Sequence, residues 1–207
     1  MLFEACKQEI KERIENMAKT EPIRNIQDIK KLKEYFKKNN RSRDYLLFTL
    51  GVNTALRISD ILCLRYNDVI DFESGKVKKH LNLKEQKTGK DKCCFLNEVC
   101  VCAINEYYNE TNGSKEEYLF QSRKGTNQPI TRQRAYCIIK EAASYTGLSA
   151  QISCHSMRKT FGYHAWKTGV GPAIIMDIFN HSSMKVTKIY LGITQDDTDD
   201  VYRKILL

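Results

Sequence analysis

Paired helix-start and helix-stop signals in the second half of the chain constrain its fold more than any other feature. Residues 131–146 and residues 155–168 are each predicted to form a helix that a glycine ends, Gly147 in one case and Gly169 in the other. Pro172 stands in the first turn of the next predicted helix, where its missing N–H costs nothing. This half of the chain is therefore predicted to be a succession of α-helices.

Weaker signals in the first half predict further helices and a small sheet. One helix is expected to begin after Asn25, and another is expected over residues 43–54. Residues 76–86 and 92–96 have strand character and are joined by a turn at residues 87–90. The predicted fold class is mainly α with a small antiparallel β-sheet, which is an α+β fold.

The chain is predicted to contain an N-terminal helical extension over residues 1–24 and one domain over residues 25–207. Within the extension, residues 3–18 place apolar side chains at helical spacing. Near the other end of the chain, Thr194 with Asp197 makes a capping box for a last short helix.

The charge balance suggests a polyanionic partner. Lysine and arginine together number 34, and aspartate and glutamate number 25, so the net charge is 34 − 25 = +9. Neutralising phosphates with such a surface releases counterions and drives association. The surplus alone also fits an ordinary basic protein with a solvated, lysine-rich surface.

The sequence also bears on localisation and on metal binding. No apolar run is long enough to span a bilayer, and the N-terminus lacks the apolar block of a signal peptide. A cytoplasmic protein without membrane contact is therefore expected. Its eight cysteines are predicted to be mostly free thiols, because no pair has the two-residue gap of a zinc knuckle. No metal site and no cofactor are predicted.

Five basic or phenolic residues carry the chemistry that the sequence suggests. Arg57 lies in Thr-Ala-Leu-Arg-Ile-Ser-Asp, His155 and Arg158 lie three positions apart, and Tyr190 follows His181 by nine positions. Taken singly, each is typical of a surface, capping or half-buried residue; two side chains three apart on a helix, for example, share a face that is usually solvated. Their joint order and spacing are not expected from those ordinary roles.

In these motifs the sequence resembles the tyrosine recombinases, also called the phage integrase family. Residues 55–60 are similar to the family's small-Leu-Arg-x-Ser-acidic motif, and residues 155–158 to its His-x-x-Arg motif. His181 matches its third motif, and Tyr190 matches its nucleophile. The resemblance runs from about residue 25 to the C-terminus.

Two departures from the family's motifs keep every chemical group in place. Asn180 stands where the family has the glycine before His181, and both residue types tolerate the left-handed conformation that a helix end needs. Met157 stands where the family has leucine, which is a volume-conserving change.

The resemblance implies phosphoryl transfer at a DNA phosphodiester. The Tyr190 oxygen would attack the scissile phosphorus and form a 3′-phosphotyrosine while a 5′-hydroxyl departs. Arg57 and Arg158 would bind the non-bridging oxygens with paired hydrogen bonds. His155 would accept the tyrosine proton, and His181 would donate a hydrogen bond to the phosphate. The phosphotyrosine retains the bond energy, so no nucleotide cofactor is implied.

The family also uses a lysine at the turn of a β-hairpin to protonate the leaving 5′-oxygen. Lys87 in Gln-Lys-Thr-Gly is the best match for this residue. Lys84, Lys90 and Lys92 are close enough in sequence to compete for the role. The sequence leaves these alternatives open.

DNA contact is predicted to extend beyond the site of cleavage. Arg132, Gln133 and Arg134 begin a predicted helix that the resemblance places against a DNA groove, and their side chains suit phosphates and base edges. Arg43 and Lys159 are weaker candidates for phosphate contact. The alternative is a helix whose arginines are merely solvated.

The resemblance implies double-stranded DNA as the substrate and a homotetramer on DNA, formed by chains that are monomeric when free. Most family members carry a separate N-terminal DNA-binding domain, so a fragment and a small single-domain recombinase are both open. Site-specific recombination or integration is weighed against two alternatives, namely DNA relaxation by type IB topoisomerase-like chemistry and DNA binding by a catalytically silent regulator. Tyr190 argues against the regulator, because a protein that only binds DNA has no use for this tyrosine.

Overall fold

The computed structural model describes residues 20–148 and 151–206. The helix predicted over residues 3–18, and with it most of the predicted N-terminal extension, lies outside the described residues. The domain boundary near residue 24 therefore stays a prediction.

The first half of the described chain combines helices with short strands. Its elements are α1 (Ile26–Lys38), α2 (Ser42–Asn53), α3 (Ile58–Leu62), α4 (Tyr66–Val69), β1 (Ile70–Asp71), β2 (Lys76–Val77), β3 (His80–Lys84), β4 (Asp91–Phe95) and α5 (Glu98–Thr111). Helix α1 begins where the sequence predicts, because the side chain of Asn25 accepts a hydrogen bond from the backbone N–H of Gln27. Leu32 and Phe36 on its inner face are fully buried.

The strands form two separate antiparallel pairs where one small sheet was predicted. β1 pairs with β2, and β3 pairs with β4 in a register that places His80 opposite Phe95 and Lys84 opposite Asp91. The strand predicted over residues 76–86 is thus divided between both pairs. The β3–β4 hairpin has the predicted turn, and Gly89 takes a positive φ of 65° there.

The second half is a succession of helices, as the helix-start and helix-stop signals of the sequence predict. They are α6 (Arg132–Tyr145), α7 (Cys154–Lys167), α8 (Pro172–Ile178), α9 (Met184–Leu191) and α10 (Gln195–Lys204). Gly147 and Gly169 follow α6 and α7 with φ values of 72° and 92°, and the Thr194–Asp197 capping box begins α10.

Two apolar clusters organise the packing. The larger one is centred on α2, whose residues from Leu46 to Val52 are buried and which packs against α5 and α7. The smaller one joins α8 and α9 to the segment after α2 and contains Ala55, Phe179 and Tyr190. Because this second cluster contains the phenol of Tyr190, the packing of the cluster sets the position of that side chain.

Three general properties follow from the described part of the chain. None of the helices in residues 20–148 and 151–206 combines the length and apolar character that crossing a bilayer requires. Seven cysteines of this part are free. In the same residues, no group of three or more His, Cys, Asp or Glu side chains is placed to hold a metal ion.

Candidate active site

Tyr190 lies inside the protein near the end of α9, with only 4% of its surface exposed. Its phenol oxygen is 2.9 Å from Nε2 of His155, which lies in the first turn of α7. The Tyr190 ring centroid is 5.3 Å from that of Phe179 and 4.6 Å from that of His181. The structure therefore brings the predicted nucleophile and its predicted proton acceptor into direct hydrogen-bond distance within one chain.

Arg158 lies three residues after His155 on α7 and is 2% exposed. One terminal nitrogen donates to the carbonyl oxygen of Phe179 at 2.5 Å, and the other donates to the carbonyl oxygen of Ala55. Its buried Nε finds no hydrogen-bond partner among the residues that the structure describes. Burial first, and then the charge of Arg57, lower the pKa of Arg158 to about 10, so the guanidinium is still charged at neutral pH.

Two residues other than glycine adopt the left-handed backbone conformation at the borders of this site. Ala55 is fully buried with a φ of 56°, and it presents its carbonyl oxygen to Arg158. Such a conformation costs an alanine about 1–2 kcal/mol. Asn180 has a φ of 49° directly before His181, which is the backbone conformation that the sequence predicted for this position.

Arg57 is the N-terminal cap residue of α3 and points toward a carboxylate that the sequence prediction missed. Its Nη1 is 2.5 Å from Oε1 of Glu85 in an ion pair that lacks the alignment of a hydrogen bond. Burial raises the pKa of the Glu85 carboxyl, but Arg57 and a hydrogen bond from Thr88 outweigh burial and bring that pKa below its ordinary value. The alternation of β3 was the available signal, because it places Glu85 on the same inward face as Leu81.

His181 completes the group beside the tyrosine ring. Its Nδ1 is 3.1 Å from the hydroxyl of Thr187, and its ring centroid is 4.9 Å from that of Phe179. Burial, followed by the charges of Arg158 and Arg57, lowers the pKa of His181 to about 3. The imidazole is therefore neutral at physiological pH.

The four candidate lysines of the hairpin differ in their surroundings. Lys84, Lys87 and Lys90 are exposed, and Lys87 lies on the turn between β3 and β4. Lys92 is 8% exposed, and its ammonium donates to the carbonyl oxygen of Ile178 at 2.5 Å. Burial, and then Arg158, lower the pKa of Lys92 to about 8. Lys92, one of the alternatives that the sequence left open, is thus buried near the site, whereas Lys87, the predicted residue, lies on the exposed turn.

The residues predicted to contact DNA separate into two groups. Arg132, Gln133 and Arg134 are exposed at the start of α6, where the hydroxyl of Thr131 accepts the N–H of Arg134. Close to them is an open groove of about 880 Å³. Its lining includes the basic side chains of Arg123, Lys124 and Arg134, and also Arg41 and Arg43, which pair with Asp44. This face has the exposure that binding of a polyanion requires.

Arg43 and Lys159 are held by contacts inside the protein. The guanidinium of Arg43 donates to the carbonyl oxygen of Gln121 at 2.7 Å and pairs with Asp44. Lys159 is 2% exposed, and its ammonium donates to the carbonyl oxygen of Thr20 at 2.6 Å. The helical position that follows Arg158 turns the Lys159 side chain inward to the N-terminal segment, and its phosphate contact stays a prediction.

Comparison with known proteins shows the family of this chain. Residues 24–196 match the Phage integrase family. The chain is 42% identical over 184 residues to the probable integrase/recombinase YoeC of Bacillus subtilis, an alignment that covers 88% of this chain and 95% of that protein. It is 28% identical to a tyrosine recombinase of Pseudothermotoga lettingae, over 86% of this chain and 59% of the relative.

Solved structures share the fold. The crystal structure of XerA recombinase superposes with a TM-score of 0.73 at 20% identity, over 90% of this chain and 67% of that one. A post-cleavage complex of XerH site-specific recombinase with a palindromic difH substrate has a TM-score of 0.69 at 20% identity, over 89% of this chain and 53% of that one. The chain thus spans little more than half of several relatives and nearly all of the B. subtilis protein.

Proposed function

The chain belongs to the phage integrase family, and on this premise we propose that it is a site-specific DNA recombinase that cuts and rejoins DNA through a 3′-phosphotyrosine on Tyr190. The observation that carries the proposal is the hydrogen bond between the Tyr190 phenol and His155, in a cluster that also contains Arg158 and His181. Relatives with recombinase and integrase names do not favour a relaxing topoisomerase or a silent regulator.

Phosphate binding is assigned to the two arginines. Arg158 uses its terminal nitrogens to hold the carbonyl oxygens of Ala55 and Phe179, which leaves the buried Nε as an unsatisfied donor. Buried donors are normally paired, and a non-bridging phosphate oxygen is an acceptor of suitable charge. Arg57 contributes the N–H groups that Glu85 does not engage.

Proton transfer begins at the tyrosine. A phenol has an ordinary pKa of about 10, so attack near neutral pH requires a base at hydrogen-bond distance. Nε2 of His155 meets this requirement at 2.9 Å. His181, which is neutral, donates its Nε2–H to the phosphate when its Nδ1 accepts the hydroxyl proton of Thr187.

We assign protonation of the leaving 5′-oxygen to Lys87. The exposed turn leaves its ammonium free to approach DNA, whereas the Lys92 ammonium is bound to the carbonyl oxygen of Ile178. In this assignment Lys92 supports the end of α8, the helix that precedes His181.

The DNA partner is expected to lie across the exposed start of α6, with Arg132, Gln133 and Arg134 on its phosphates and base edges. Strand exchange needs a second cleaved site, because the 5′-hydroxyl of one strand must attack the phosphotyrosine of another. We therefore propose that chains which are monomeric when free form a homotetramer on two DNA duplexes, in the cytoplasm. No cofactor enters this scheme.

A covalent capture experiment tests the proposal. The probe is a pool of DNA duplexes with one 5′-bridging phosphorothiolate flanked by randomised sequence, because the departing thiol does not reverse cleavage. Wild type should form a denaturant-resistant protein–DNA adduct, and Tyr190→Phe should form none. Tyr202→Phe, at a tyrosine that is 78% exposed on α10, is the matched control and should behave as wild type. Absence of an adduct in wild type, or its persistence in Tyr190→Phe, would overturn the proposed function.

A further inference from the structure

Two buried carboxylates tie the neck of the β3–β4 hairpin to the segment that carries Arg57. Oδ1 of Asp60, which is 2% exposed in α3, accepts the backbone N–H of Gln86 at 2.9 Å. Glu85, which is 1% exposed at the end of β3, pairs with Arg57. The adjacent residues Glu85 and Gln86 are therefore held by Arg57 and Asp60, which belong to the same first turn of α3.

The two oxygens of the Glu85 carboxylate serve different parts of the protein. Oε1 lies 2.5 Å from Nη1 of Arg57, and Oε2 accepts the hydroxyl proton of Thr88 at 2.6 Å. Thr88 is the residue directly after Lys87 on the turn. One side chain thus connects the turn that presents the lysine with the guanidinium assigned to the phosphate.

Closing the turn does not by itself require this carboxylate. The backbone already closes it, because the N–H of Glu85 donates to the carbonyl oxygen of Lys90 and the N–H of Gly89 donates to the carbonyl oxygen of Glu85. A buried carboxylate carries a desolvation penalty that only a close cation and good hydrogen bonds repay. The position of Glu85 is therefore explained by what it does to Arg57 and Thr88 together.

We propose that Glu85 is a positioning residue that fixes the hairpin turn and the Arg57 guanidinium in one arrangement. The proposal rests on the proposed function, since it assigns Glu85 to the same phosphate site. Arg57 has five N–H donors in a rigid fork, so a carboxylate on one nitrogen orients the others. The same carboxylate then holds both the guanidinium that binds the scissile phosphate and the turn that carries the lysine beside the leaving group.

Substitution of Glu85 should therefore impair both halves of the cleavage step. A sulfur leaving group departs without a general acid, so a 5′-bridging phosphorothiolate restores cleavage that was lost only through Lys87. Glu85→Gln should cleave such a substrate about tenfold more slowly than wild type, because Arg57 is misplaced. On a nicked suicide duplex with the natural 5′-oxygen, the cleavage rate of Glu85→Gln relative to wild type should be lower by at least a further factor of about three.

Two further variants separate the contributions. Thr88→Val leaves the ion pair intact and removes the link to the turn, together with the long hydrogen bond from the Lys90 N–H to the same hydroxyl, so its loss on the oxygen substrate should be restored by sulfur. Glu73→Gln makes the same charge change on the exposed turn between β1 and β2, and it should match wild type on both substrates. Binding of uncleaved duplex by Glu85→Gln should equal that of Glu73→Gln.

The outcomes are distinguishable from failure of the proposed function, because wild type must first form its adduct. Equal cleavage by Glu85→Gln and Glu73→Gln would overturn the proposal. An equal loss of cleavage on both substrates would mean that Glu85 acts only on Arg57, and complete restoration by sulfur would mean that it acts only on the turn. Either result would also overturn the proposal that Glu85 positions both. If Glu85→Gln does not fold, Glu85→Asp replaces it, and its shortened carboxylate should give a smaller loss with the same substrate pattern.

Discussion

Acid should destabilise the DNA-free protein through His181. Its imidazole is held neutral by burial and by the charges of Arg158 and Arg57, which lower its pKa to about 3. In the unfolded chain the same group has an ordinary pKa of about 6.5. Between these two values the unfolded state binds a proton that the folded state does not, so the free energy of unfolding falls as the pH falls.

The size of the effect follows from the two pKa values. From pH 7 to pH 5, this linkage removes about 2 kcal/mol from the free energy of unfolding. The loss continues toward pH 3, where the folded imidazole also becomes protonated. The lowered pKa of Lys92, about 8, acts above neutral pH and contributes little in this window.

Urea unfolding of wild type and His181→Asn at pH 7 and pH 5 measures the effect. With a denaturant slope of about 1–3 kcal/mol per molar, the wild-type midpoint should fall by about 1 M more than that of the variant. His80→Asn removes an exposed histidine from β3 and should retain the wild-type acid sensitivity. An equal midpoint shift in wild type and His181→Asn would show that His181 is not the source of the acid sensitivity.

Three other substitutions probe the remaining parts of the site. Arg158→Lys should reduce cleavage by about 100-fold or more in the capture assay, because a single ammonium nitrogen cannot reach the separate positions that the three guanidinium nitrogens occupy. Near-normal cleavage would contradict the role of the guanidinium fork. Ala55→Gly should change the free energy of unfolding by less than about 1 kcal/mol, since relief of the left-handed strain offsets the lost methyl group, whereas Ala55→Val should cost more than about 2 kcal/mol by thermal unfolding. Lys87→Ala should be restored by the sulfur leaving group and Lys92→Ala should not; the reverse pattern would move the general acid to Lys92.

Elements with strong local signals could be predicted from the sequence. The helices α6 and α7 carry their own caps and glycine stops, and Asn25 accepts a hydrogen bond from the helix that it begins. Local chemistry alone fixes such boundaries. The short α4 and β1 were not predicted, because tertiary contacts such as the bond from the Tyr66 N–H to the carbonyl oxygen of Glu117 stabilise them.

The same distinction applies to the site. Arg57, His155 and Tyr190 could be named because their spacing is characteristic, and no burial was needed to find them. Glu85 was missed because its ion pair with Arg57 forms only when the β3–β4 turn folds against the start of α3. The sequence shows that Lys159 is a cation beside Arg158, but it does not show that the helix turns the ammonium toward the carbonyl oxygen of Thr20.

The most direct test of the account maps the covalent bond itself. Wild type is trapped on the phosphorothiolate duplex, digested with protease and nuclease, and analysed by mass spectrometry. We expect one peptide that carries a nucleotide joined through its 3′-phosphate to Tyr190, together with release of a free 5′-thiol end. A nucleotide on any other side chain, or a tyrosine joined to a 5′-phosphate, would contradict it.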